Sequence, residues 1–281
     1  MGEGINRASG CIRPARIWTC QRPRRFGLGR DWIHRTIMED KTYGSRAWIE
    51  SQYASSQGDP WGLDWRPSQR YRYVRMFQAL ERTLADTPRP LSIVDVGCAT
   101  GAFTAMLSGL NGPEDSGYVT GVDISASAVE RAAARFPHIN FECLSLEECA
   151  VAHTGRADLV TCMEVLYYLP SQARAAAAGQ LRRMLKPGGW LLASSMIASP
   201  PYFSLEELKA LLAEEFQLVE EGVLHLKPLS IKEKLLMKLR GQEAGNGAVF
   251  HFDRVQRWER LAGRLLPGLA RSHGYVIARC L

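Results

Sequence analysis

The sequence predicts an α/β fold: a doubly wound, mostly parallel seven-stranded sheet, with a helical extension before it and a helical insertion ahead of the last strand. Three observations carry this reading. Short β-branched or apolar runs alternate with helical patterns from about residue 68 to the C-terminus. The first run, Ile93–Val96, enters the next helix through a turn that bears Gly97 and Gly101. The second run ends on an acid, Asp123, which lies 22 positions after Gly101.

Glu39–Trp65 precedes every strand and holds Tyr43, Trp48, Tyr53, Trp61 and Trp65, aromatics suited to packing outside the sheet or to a lid over a pocket. Ser68–Leu84 has apolar residues at 73, 74, 76, 77, 80 and 84, a helical spacing, and Pro88 and Pro90 stop that helix. Ile93–Val96 then reads as a buried parallel strand. Tyr118–Asp123 is the second strand, Ala126–Arg135 an alanine-rich helix ended by Pro137, Asn140–Leu144 the third strand and Ala157–Met163 the fourth. Gln172–Leu185 is a helix that stops at Lys186-Pro187-Gly188-Gly189, before a fifth strand at Trp190–Ser194. Leu205–Glu215 is a helix with Ser204 as its N-cap and Glu207 completing a capping box. Phe216–Leu224 and Gly274–Cys280 are the last two strands. Leu226–Ser272 between them is too long for a plain connection. Within it Ile231–Leu239 is basic and amphipathic, Gly241–Gly247 is a break, and Phe252–Leu265 is helical. This insertion, residues 226–272, reads as a surface decoration, a cap on the ligand side or a membrane-surface element.

Charge is distributed unevenly. Met1–Ile37 holds eight arginines against Glu3 and Asp31, a surplus equal to the formal charge of +6 for the whole chain. That segment is expected to be a disordered basic leader, or to lie upstream of a natural start at Met38; targeting and nucleic-acid contact are the other readings. Residues 38–281 then form one domain without a basic surface overall, which argues against nucleic acid as a partner. No apolar run is long enough to span a membrane. The seven cysteines show no C-x-x-C spacing, so no metal site is expected and a reducing cytoplasm is.

The turn after the first strand is G-x-x-x-G with Asp95 just ahead, not the G-x-G-x-x-G of dinucleotide sites. An acid there would repel a pyrophosphate but suits an ammonium group, while Asp123 is placed to accept ribose hydroxyls. A ligand with a cationic amino-acid end and a nucleoside end satisfies both acids.

In Asp95–Gly101, in Val122-Asp123, in Asp158-Leu159-Val160 leading to Glu164, and in Leu185–Gly189, the chain resembles the class I S-adenosylmethionine-dependent methyltransferases. The resemblance covers residues 58–225 and the final strand. Asp59-Pro60-Trp61, Gly97–Thr104 and Glu164–Leu169 are similar to the nodulation protein S group of small-molecule N-methyltransferases. The resemblance implies a Rossmann-like methyltransferase fold and S-adenosylmethionine as cofactor, with S-adenosylhomocysteine as product. It implies that Gly97, Cys98, Thr100 and Gly101 bring the backbone to the methionine end and ribose, that Asp95 orders the amino group, and that Asp123 and Ile124 meet the ribose. Ser145 stands where many relatives place an Asp near the adenine amino group, with Leu146 flanking the ring. Met163 and Glu164 would lie under the sulfonium. Glu164, Tyr167 and Tyr168 are the candidates to assist the acceptor. The expected acceptor is a small molecule, an amine ahead of a hydroxyl. RNA methylation and non-catalytic cofactor binding are the alternatives, and the oligomeric state is not legible.

Overall fold

The computed structural model describes residues 42–55, 59–112, 118–240 and 250–281. The basic leader Met1–Ile37 and the Gly241–Gly247 break lie outside the described residues. The rest follows the alternation of strands and helices that the sequence predicts. Strands β1 (Ile93–Val96), β2 (Val119–Asp123), β3 (Asn140–Cys143), β4 (Ala157–Met163), β5 (Leu185–Met196), β6 (Gln217–Leu224) and β7 (His273–Arg279) form one sheet in the order β3-β2-β1-β4-β5-β7-β6. The first five strands pair in parallel, and β7 runs antiparallel between β5 and β6. The order reverses between β1 and β4, so the carboxyl ends of β1, β2 and β4 open onto a crevice.

Period-two alternation sends neighbouring residues to opposite faces of this sheet. Ile93, Leu159, Leu192 and Ile277 pack on one side, under helices α1 (Arg46–Ser55), α2 (Pro67–Thr83) and α3 (Ala102–Ser108). Val94, Val160, Leu191 and Val276 pack on the other. There they meet α5 (Leu146–Ala152), α6 (Arg174–Met184) and α7 (Leu205–Ala213). The remaining helices are α4 (Ala126–Arg135) and the two of the insertion, α8 (Lys227–Arg240) and α9 (Phe252–Leu265). Tyr71, Met76 and Leu80 of α2 lie fully buried. Each such side chain contributes about 1.5–3 kcal/mol of burial.

The helix boundaries follow from their caps. Ser125 caps α4 by accepting from Ala128 N–H, and Ser204 and Glu207 form the expected capping box on α7. Several boundaries move by a residue or more, two of them for an identifiable reason. Strand β5 begins at Leu185 rather than Trp190, because the Lys186–Gly189 stretch bulges against β4 and stays in the sheet. The fourth-strand acid Asp158 holds that bulge: Lys186 Nζ lies 2.8 Å from both of its carboxylate oxygens. Strand β3 stops at Cys143, since Ser145 begins the next helix.

Candidate active site at the carboxyl edge of the sheet

The site is built around the turn between β1 and α3. Gly97 N–H and Cys98 N–H both donate to Val122 O, at 2.7 and 3.0 Å, which folds the turn back over β2. This geometry needs left-handed backbone at Gly97 (φ +76°) and Gly101 (φ +79°). A Cβ on Gly97 would stand 2.2 Å from Val165 Cγ2, and one on Gly101 would stand 2.8 Å from the Phe141 ring. Ala99 also takes a positive φ, which turns its N–H onto Asp123 Oδ2 at 2.9 Å. The other carboxylate oxygen of Asp123 accepts from Ser125 N–H at 2.9 Å. Asp123 thus ties the ends of β1 and β2 together; burial pushes its pKa up, and the backbone N–H bonds oppose that shift.

Asp95 is positioned differently from the sequence expectation. It sits opposite Thr161 in the β1–β4 register, so the two side chains share a face. Its Oδ1 accepts from Thr161 Oγ1 at 2.6 Å and its Oδ2 from Thr104 Oγ1 at 2.7 Å. The residue is 2% exposed. Burial pushes its pKa up to about 6 against the pull of the two hydroxyl bonds. Both oxygens are engaged inside the protein, so Asp95 holds β1, β4 and α3 in place rather than presenting a free carboxylate to the crevice.

The group that does present one is Glu164. It follows Met163 at the end of β4 with φ +62°, a left-handed turn that swings the side chain across the sheet edge. Oε1 accepts from Ser194 Oγ at 2.9 Å and pairs with Arg72 Nη1 of α2 at 3.0 Å. Oε2 has no hydrogen-bond partner, and neither does Arg72 Nε. Burial raises the Glu164 pKa while Arg72 and Ser194 hold it down. Arg72 is 3% exposed. Sequence reading did not single it out, because an arginine on an amphipathic helix ordinarily faces water. His273, at the start of β7 beside Met196, is also buried, with its Nδ1 unpartnered; burial and the nearby charges of Arg72 and Arg66 depress its pKa.

Tyr167 is buried and Tyr168 half-buried, their ring centroids 4.6 Å apart. Burial drives both pKa values up, so neither ionises near neutrality. Their rings join Trp48, Trp61, Tyr43 and Tyr202 in one aromatic cluster. Ser145 is likewise occupied. Its hydroxyl accepts from Glu148 N–H and its own N–H donates to Glu148, a capping box on α5. Leu146 packs into the core behind it, while Ile124 packs on the opposite face and Met163 is buried. Thr100 Oγ1 reaches toward Asp64 Oδ2 at 3.5 Å.

Helix α1 lies over the β2 side of this edge. Glu50 accepts from the hydroxyls of Ser125 and Ser127 at the start of α4, and Arg46 pairs with Glu148 at 3.1 Å. Tyr53 is buried close to the Asp123 carboxylate. The insertion packs against the start of α2. Glu233 of α8 accepts from Ser68 N–H at 2.8 Å, Ser68 Oγ at 2.5 Å and Arg66 Nε at 3.1 Å, all buried. The inward face of α8 is therefore docked on the start of α2.

A positive-φ turn on β1, an acid ending β2 and a buried carboxylate–guanidinium pair after β4 define the ligand edge of a nucleoside-binding α/β protein. Comparison with known proteins makes the class definite: residues 68–233 match the family model for a methyltransferase domain, and the chain belongs to that family. It is 32% identical over 139 residues to a ubiquinone biosynthesis O-methyltransferase of Thiobacillus denitrificans, covering 47% of this chain and 57% of that relative. It is 33% identical over 159 residues to nodulation protein S of Rhizobium tropici, covering 55% of this chain and 61% of that relative. The matches thus span less than two thirds of these curated relatives. The N-methyltransferase NodS of Bradyrhizobium japonicum, solved with S-adenosyl-L-homocysteine, shares the fold. Its TM-score is 0.56 at 23% identity, over 86% of this chain and 99% of that one.

Proposed function

We propose that this protein transfers a methyl group from S-adenosylmethionine to a small-molecule acceptor, an amine ahead of a hydroxyl. The observation that carries the reading is the pair of unpartnered atoms beside the Gly97 turn. Arg72 Nε is a buried donor and Glu164 Oε2 a buried acceptor, and burying them alone costs free energy. Together they complement an α-amino-acid zwitterion, with the guanidinium facing the carboxylate and Glu164 facing the ammonium. Asp123, at the far end of the turn, would take the ribose hydroxyls, and the aromatic residues of α1 would cover the nucleoside. The residues therefore fit the methionine and ribose ends of this cofactor.

Bound there, the cofactor would supply a methyl already activated by sulfonium. The protein's part is then to align nucleophile, methyl and sulfur, to exclude water under α1 and α8, and to hold the acceptor unprotonated. An amine acceptor needs only to be neutral, which agrees with a site whose tyrosines are not bases. A hydroxyl acceptor is the second reading, supported by the O-methyltransferase relatives; it would require Glu164 to receive the proton. The five cysteines among the described residues are free, as a reducing cytoplasm would keep them. No described helix is long and apolar enough to cross a membrane. Calorimetry with S-adenosylhomocysteine, followed by an acceptor screen with methyl-labelled cofactor, tests the proposal. No cofactor binding would overturn it, whereas binding without product from amines, hydroxyls or RNA would leave a non-catalytic binding protein. Labelled RNA would overturn the small-molecule reading.

A further inference from the structure

The outer face of the insertion carries a feature that methyl transfer does not use. On α8, Ile231 and Leu235 are one turn apart; on α9, Trp258, Leu261 and Leu265 are spaced three and four. With Leu269 after α9, these six large apolar side chains are between 48% and 72% exposed. The two helices lie side by side there, since Lys232 and Leu229 of α8 and Trp258 and Ala262 of α9 line one groove of about 90 Å³.

The charges around the stripes are one-sided. Lys232 and Lys234 flank the α8 stripe, Arg257 and Arg264 flank that of α9, and Arg254 stands at the head of it one turn before Trp258, all exposed. The acids are turned inward. Glu233 is buried on Arg66, and Glu259 is buried 3.5 Å from His225. Among the described side chains only Asp253 of these two helices leaves an acid in the open. An amphipathic pair with an apolar stripe, a basic margin and no exposed acid between is complementary to one kind of surface: an apolar layer beneath anionic headgroups.

We propose that the outer face of α8 and α9 docks this protein on an anionic lipid bilayer, lying in the interface without crossing it. Ile231, Leu235, Trp258, Leu261 and Leu265 enter the acyl boundary, and the lysines and arginines meet the phosphates. The opposite face of α8 is the one pinned to α2 through Glu233, so docking places the bilayer directly behind that contact. The proposal is independent of the reaction performed at the sheet edge.

Flotation of the full chain with vesicles tests it, using phosphatidylcholine alone against phosphatidylcholine with one third phosphatidylglycerol. The chain is expected to float with the anionic vesicles, and less so at high salt. Trp258→Asp with Leu261→Asp, and separately Lys232→Glu with Lys234→Glu, should each reduce partitioning by about tenfold or more while circular dichroism and melting stay those of the parent. Failure of the parent to float with anionic vesicles overturns the proposal. So does equal flotation of both variants, which would place the contact on residues 1–41 or elsewhere. A parent that is dimeric by sedimentation and monomeric as Trp258→Asp/Leu261→Asp would make the occupant a second copy, and would also overturn it.

Discussion

Replacing Glu233 with Ala should destabilise the protein by about 3–5 kcal/mol, the cost of stranding a buried partner charge. The structure sets this value. Glu233 is 7% exposed and accepts three hydrogen bonds, two from Ser68 and one from Arg66. The Arg66 side chain is only 11% exposed. Without the carboxylate, its guanidinium keeps a single long bond to Trp61 O at 3.4 Å and little access to water. An exposed pair gives the scale: Arg182–Glu215, 3.7 Å apart with both side chains more than a third exposed or nearly so, should cost less than about 1 kcal/mol when broken. The assay is urea unfolding of Glu233→Ala, Arg66→Met and the double variant, with limited proteolysis of the insertion as a second readout. The double variant should lose less than the sum of the singles, since removing both partners leaves no orphaned charge. Additive losses, or a Glu233→Ala curve and proteolysis rate equal to those of the parent, would refute the docking of α8 through this pair.

Asp123→Asn should weaken S-adenosylhomocysteine binding at least tenfold, as loss of charged hydrogen bonds worth about 1.5–3 kcal/mol requires; calorimetry reads it directly. Arg72→Ala should also weaken the cofactor by tenfold or more, whereas Ser145→Ala should lower thermal stability by about 1 kcal/mol through its lost cap and leave affinity nearly unchanged. Asp95 carries a pH signature. Its folded pKa, raised to about 6 by burial, means that its contribution to stability is full below about pH 4 and is lost as pH climbs through 6. Asp95→Asn should flatten that part of the pH–stability curve by up to about 3 kcal/mol, measured by urea midpoints from pH 4 to 7.5.

The sheet was legible because its signal is periodic and local. Ile93–Val96, Ala157–Met163 and Phe252–Leu265 have the boundaries that pattern and turn chemistry predict. The Leu185–Gly189 stretch was not legible as strand, because Pro187 and paired glycines signal a turn. Only the pairing with β4 and the Asp158–Lys186 bridge make it part of the sheet. In the site, Asp123 and Glu164 could be found because they end strands. Arg72, Arg66 and Glu233 could not, since their burial depends on helices that meet only after folding. A polar residue on an amphipathic helix carries the same local pattern whether it faces water or a buried partner. The same ambiguity hid the outward stripe of α9, whose spacing alone fits a core-facing helix. Tyr167 and Tyr168 carry the same local pattern whether they pack or assist an acceptor, and the structure sets both among aromatic rings.

The contact between Gly97 and Val165 has a consequence for altering this enzyme. The loop after β1 and the loop after β4 fit together with no room for one added methyl group. A change of shape in residues 164–170 will therefore be transmitted to the backbone of the Gly97 turn.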